Sequence, residues 1–155
     1  MLTGIALAVA DIPLVLIEQE HLEPRRHERG GEAELQFLFR DAERVLPVWH
    51  EGRLQLVRWG NRRGESRALP LTGWARLETW AGGGWGRWRP AGVFIPATLG
   101  LNGRVWYGIC QGVRGLLVRD EAGLARVYPL VEPASHYHAV MTRSDWMPVL
   151  IDKRI

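Results

Sequence analysis

VLPVWHEGRLQLVRWG, Val45 to Gly60, is the stretch that decides the fold. Two runs rich in β-branched and large apolar residues, Val45 to Trp49 and Leu54 to Trp59, flank His50-Glu51-Gly52. A short turn ending in glycine between such runs predicts a β-hairpin. Side chains alternate across a strand, so Leu54, Leu56 and Arg58 share one face while Gln55, Val57 and Trp59 share the other. Arg58 and Trp59 therefore point to opposite sides unless the strand ends or bulges there. Gly60 and Asn61 suit a turn, because both tolerate positive φ.

On either side of the hairpin the chain keeps the same grain. Toward the N-terminus, Leu35 to Phe39 is a buried-strand candidate, and Ile5 to Val9 and Leu14 to Ile17 read as two strands or one strand bent at Asp11 and Pro13. Between them, at about residues 20–32, EHLEPRRHERGGE is too polar for a core and reads as an exposed loop. Toward the C-terminus, Asn61 to Pro70 reads as a loop. Thr72 to Trp80 reads as a short helix or an irregular segment; in a helix Arg76 and Trp80 would share a face. Trp88, Val93 to Pro96, Arg104 to Cys110, Val113 to Val118, Ala125 to Leu130 and Met147 to Ile151 follow as strands. Glu132-Pro133-Ala134-Ser135 opens the clearest helix, with Pro133 at its first position and its end near Met141. About ten short strands against one or two short helices give a mainly β class, with α+β as the alternative. A single-domain, distorted β-barrel over residues 1–155 is the architecture expected.

The chain has 155 residues, enough to close a core without disulfides or a structural metal. With 46% hydrophobic and 24% charged residues it is not a disordered chain. The single Cys110 allows no internal disulfide and suits a reducing, cytoplasmic setting. Leu2 to Leu16 is apolar but is broken by Asp11 and Pro13 and has no cationic leader, so neither a signal peptide nor a membrane span is expected. A formal charge of +3 favours anionic partners mildly. Its distribution says more. Arg53, Arg58, Arg62, Arg63, Arg67 and Arg76 interleave with Trp59, Trp74 and Trp80 between residues 53 and 80, where the acids are Glu65 and Glu78. That mixture suits a surface that holds a polyanion by charge and its bases by stacking. It equally suits strands whose tryptophans are core and whose arginines face water.

The order of segments resembles the SOS response-associated peptidase (SRAP) family. Trp59-Gly60, then Ala75-Arg76 with Glu78-Thr79, then Val93-Phe94-Ile95-Pro96-Ala97, then a helix leading into Met147-Pro148-Val149-Leu150-Ile151 stand where that family has W-G, N-A-R-x-E-T, I-P-A-D-G-[FW]-[FY]-E-W and H-D-R-M-P-V-[IL]-L. The similarity covers roughly residues 45–151. Members of the family shield abasic sites in single-stranded DNA through a covalent link to an N-terminal cysteine, exposed once the initiator methionine is removed. The resemblance puts Leu2 where the cysteine belongs. It puts Trp74 at the asparagine, Asn102 at the glutamate, and Ser144 at the histidine, or Thr142 on the longer spacing. What it preserves is Arg76, which in the family helps to hold DNA, with Trp59, Gly60, Ile95, Pro96, Met147 and Pro148. The resemblance thus implies a member without its cross-linking chemistry.

Other candidates for chemistry are sparse. Cys110 follows the apolar run Val105 to Ile109 and reads as a small core residue. His136 and His138 lie two apart and would fall on different faces of a helix; either is a candidate acid or base, with Asn102 as a further polar position. His21 and His27 sit in the charged loop and read as solvated. No cofactor and no metal are expected. The expected function is binding of nucleic acid, single-stranded DNA foremost, through Arg58, Arg62, Arg63 and Arg76 with Trp59 as a stacking ring. The rival is a protein-interaction or structural module, phage-related, that kept the scaffold without the DNA site.

Overall fold

The computed structural model describes residues 1–151. The hairpin stands as read: β4 (Val45–His50) and β5 (Arg53–Trp59) pair antiparallel from Val45↔Arg58 to His50↔Arg53. Glu51 and Gly52 close it at φ 53° and 78°, the doubly positive geometry whose twist matches the strands it joins. Alternation then decides burial. Trp59 is fully buried, and Arg58 beside it is exposed.

The hairpin seeds a closed ring. The free edge of β4 takes β7 (Ala91–Pro96), β7 takes β10 (Gly112–Arg119), and β10 takes β11 (Ala125–Pro133). β11 runs parallel to β5 and closes the circuit of five strands. A second, antiparallel sheet has the order β2 (Arg26–Arg29), β3 (Glu32–Leu38), β1 (Gly4–Ala8), β8 (Leu99–Asn102), β9 (Val105–Gly108). Its buried Ile5, Leu7, Leu35 and Phe37 share one core with Leu46, Val48, Trp59 and Ile95 from the ring. A smaller core gathers Trp85, Leu116, Tyr128 and Leu130, with Trp88 packed at its edge. β6 (Ala75–Arg76) and β12 (Trp146–Pro148) extend the ring beside the far end of β11. The class is mainly β, as expected, and no helix among the described residues is long and apolar enough to cross a membrane.

Several local expectations are corrected. Leu14 to Ile17 is not a strand but the start of helix α1 (Leu14–Gln19): Pro13 caps it, and Glu18 and Gln19 extend it as good helix formers. The segment at 20–32 is exposed but not a loop throughout. It makes a 3₁₀ turn that buries Leu22 and then becomes β2, an edge strand paired with β3 across Gly30 and Gly31. Arg76 is extended, and helix α2 (Leu77–Ala81) begins only after it, so Arg76 and Trp80 do not share a helical face. Instead the Arg76 guanidinium lies over Trp146, and Trp80 lies under Arg114. Trp88 ends a 3₁₀ turn, not a strand. Pro133 closes β11, and Ser135 caps helix α3 (His136–Thr142) by accepting the amide of His138. Cys110 falls beyond β9 and is exposed, not core.

Candidate nucleic-acid interface

β1 lies in the middle of its sheet, which carries Met1 to Thr3 into the space between the end of β8 and the start of β12. There the Met1 amine donates to Asn102 Oδ1 at 3.0 Å and to Ser144 Oγ at 2.7 Å. The Trp74 indole donates to the Leu2 carbonyl at 2.7 Å. Trp74 stands where the family resemblance would put asparagine, Asn102 near its glutamate and Ser144 near its histidine, for which Thr142 is the alternative, and Trp74, Asn102 and Ser144 converge on the first two residues. Burial lowers the pKa of the amine, and the charge of Asp145 works against that shift. Beyond Ser144, the Arg76 guanidinium sits 4.6 Å from the centre of the Trp146 ring, and the Trp146 carbonyl accepts from Ser144.

His138 lies buried near this cluster, its ring edge-on to Tyr107 with centres 5.0 Å apart. Burial and the charge of the amine hold its pKa down, and burial pushes the Tyr107 phenol up. Asn102 Nδ2, Tyr107 Oη and His138 Nε2 are buried without hydrogen-bond partners among the described residues. His136, on the same helix, is exposed. The amine's hydrogen-bond partners among the described residues are Asn102 and Ser144, which fix the N-terminal strand in place. Among the described residues no set of three histidine, cysteine, aspartate or glutamate side chains could hold a metal ion.

Beside the same strand runs a groove of about 610 Å³, lined by Thr3, Gln36, Leu38, Phe39, Leu101 and Trp106 with Arg40, Arg62 and Arg104. A second hollow of about 330 Å³ shares Phe39 and Arg62 with it and adds Arg63, Leu71 and Trp74. The two abut at Phe39 and Arg62 and have a combined lining. It presents four guanidiniums and three aromatic rings, and among the described residues no carboxylate lines it. Gly60 makes this possible: at φ +63° its backbone passes so close to the returning loop that a Cβ would stand 2.6 Å from the Thr72 carbonyl. Arg62 is seated at the shared wall, over the Phe39 ring at 5.0 Å and donating to the Phe39 carbonyl.

The residues expected from sequence separate on this surface. Arg62 and Arg63 share it. Arg76 belongs to the N-terminal cluster across Trp146. Arg58 lines neither hollow and instead leans toward Glu65, with 3.9 Å between charges. Trp59 is no stacking ring: it is sealed in the core, donating to the Gly73 carbonyl and meeting Phe39 edge-on. Phe39, Arg40, Arg104 and Trp106 were not singled out by sequence. Arg104 in the turn before β9 and Trp106 on β9 repeat the arginine–tryptophan mixture of the hairpin; only the pairing of β9 with β8 sets them beside β1.

Behind the groove lies a different arginine cluster. Glu65 receives Arg44 at 3.0 and 2.5 Å and Arg126 at 2.9 Å, while Arg126 also donates to Asp120 at 3.1 Å. Arg44 and Arg126 are both buried. The Arg44 hydrogen bonds, with those of Arg126, outweigh burial and hold the Glu65 carboxyl at about 2.

Fold and site together define a barrel-cored β protein with a cationic, aromatic groove beside its N-terminal strand. No family model, curated protein or solved structure matches the chain.

Proposed function

We propose that this chain is a SRAP-like domain that binds single-stranded nucleic acid, DNA foremost, and does not cross-link it through a thiol. The observation that carries the reading is the joined groove: Arg40, Arg62, Arg63 and Arg104 with Phe39, Trp74 and Trp106, and no opposing carboxylate among the described residues. Guanidiniums release counterions from phosphates, and the half-buried Trp74 and Trp106 rings offer partial faces to unpaired bases, which a duplex keeps stacked. Supporting the family reading is the meeting of Trp74, Asn102 and Ser144 at Met1 and Leu2. Absent from that place is the cysteine on which the family's covalent chemistry depends.

Titration of a labelled single strand and the matching duplex over a range of salt tests the reading. Affinity for the single strand should exceed that for the duplex and fall linearly in logarithm with salt, by about 0.7 in slope for each phosphate neutralised. Absence of binding at low salt, or binding indifferent to salt, sinks it. One observation favours the rival reading of a protein-interaction module: Tyr137 and Val140, three apart on α3, are 76% and 66% exposed.

A further inference from the structure

Strand β9 lies at the end of its sheet and pairs with β8 alone, through the short turn at Gly103 and Arg104. Across that pair the Ile109 amide, just past β9, donates to the Thr98 carbonyl at 2.9 Å. Hydrogen-bonded pairs alternate along an antiparallel ladder, so Tyr107 also aims its backbone groups at β8, while Trp106 and Gly108 aim theirs outward. Among the described residues no backbone group meets them. Gly108 is exposed, and a Cβ built on it would stand in open space.

Side chains sort to the two faces of this edge. Trp106 turns to the groove, and Tyr107 turns to helix α3, where it meets His138. On the Tyr107 face a hollow of about 170 Å³ opens beside Gly108, walled by Tyr137, His138, Met141, Met147 and Leu150. No carboxylate, ammonium or guanidinium lines it among the described residues. An apolar cavity of about 150 Å³ accepts a benzene-sized group, so this one suits a single leucine, methionine or phenylalanine side chain. At the turn end of the strand Arg104 is exposed and makes no ion pair among the described residues. Each feature restricts what can lie here. Unpaired amides and carbonyls select an extended backbone, the hollow selects an apolar side chain, and Arg104 selects a carboxylate.

We propose that the open edge of β9 binds an extended, acidic peptide of a partner protein as an added strand. The peptide residue opposite Tyr107 enters the hollow, and a carboxylate about three or four positions along reaches Arg104. Selection of short displayed peptides on the full chain, then anisotropy titration of the consensus peptide, tests it. Enriched sequences should pair an apolar residue with an acidic one at that spacing. Replacing the apolar residue by alanine should weaken binding about tenfold or more. Gly108→Pro deletes an outward amide that the fold leaves unpaired, at an edge position where proline is tolerated. Its urea midpoint and its single-strand binding should match the wild type, while peptide affinity falls about tenfold. Arg104→Glu should weaken the peptide about threefold, and a lysine in place of the peptide's acid should restore it. Should Gly108→Pro fail to fold, hydrogen exchange of the wild type still decides: the Gly108 amide should exchange freely alone and become protected with peptide. No enrichment, enrichment without the acid, or full peptide affinity in folded Gly108→Pro overturns the proposal. So does a Gly108 amide already protected in the free protein; protection that grows with protein concentration would assign the edge to a second copy of this chain.

Discussion

Two clusters of arginine meet at Phe39 and do opposite work. In one, Arg44 and Arg126 are buried around Glu65 and Asp120, their charge spent inside the molecule. In the other, Arg40, Arg62, Arg63 and Arg104 line a groove with no carboxylate among the described residues. Arg44 and Arg62 both lie within 6 Å of the same Phe39 ring, at 5.7 and 5.0 Å. What separates them is the acid each meets. An arginine count along the chain therefore measures the charge present, not the charge available to a partner.

The sharpest way to break the comparison is Glu65→Gln. Removing the carboxylate strands the buried Arg44 and leaves Arg126 to Asp120, and loss of one partner of a buried pair costs up to about 3–5 kcal/mol. Urea denaturation should show that loss, while folded protein keeps the salt slope of single-strand binding. A changed slope would mean that the two clusters are one site.

Acid should discriminate them next. Glu65 titrates at about 2 in the folded protein, below the roughly 4.3 of an unfolded glutamate. Its contribution is thus fully present above the unfolded value and is lost as pH falls toward about 2. Between pH 5 and pH 2 the wild type should lose more stability than Glu65→Gln; equal losses would place the acid sensitivity elsewhere.

In the groove the signs reverse. Arg63→Ala with Arg104→Ala should leave the stability from urea denaturation within about 0.5 kcal/mol and lower the salt slope for single-stranded DNA by about 1.4 in total. The smallest effect belongs to Arg58→Ala. Its pairing with Glu65 is long and half-exposed, worth about 0–1 kcal/mol, and its removal should leave the salt slope where it was.

Some of this was legible in the chain. The hairpin from Val45 to Trp59 and the opposed directions of Arg58 and Trp59 follow from alternation alone, and so does the β class. Alternation did not say which of the two faces is core; the structure buries the side that carries Val57, and Trp59 with it. Arg62 and Arg63 line one hollow because they sit together in the loop that Gly60 turns back. Helix α1 was misread because four apolar residues in a row fit a buried strand as well as a short helix, and only Pro13 and the residues after Ile17 separate the two. Arg104 and Trp106 were invisible as site residues, because their significance depends on a neighbour about a hundred positions away.

Sequence alone determined the local geometry: which residues alternate, where glycine must turn, and which segments are apolar enough to be strands. It also holds Trp74, Asn102 and Ser144 far apart along the chain. Tertiary structure alone decided that these three meet at Met1 and Leu2, and which arginines find a carboxylate. The physical reason is range: alternation and turn preference act over a few residues, whereas a charge is neutralised by whatever the fold brings within about 4 Å of it.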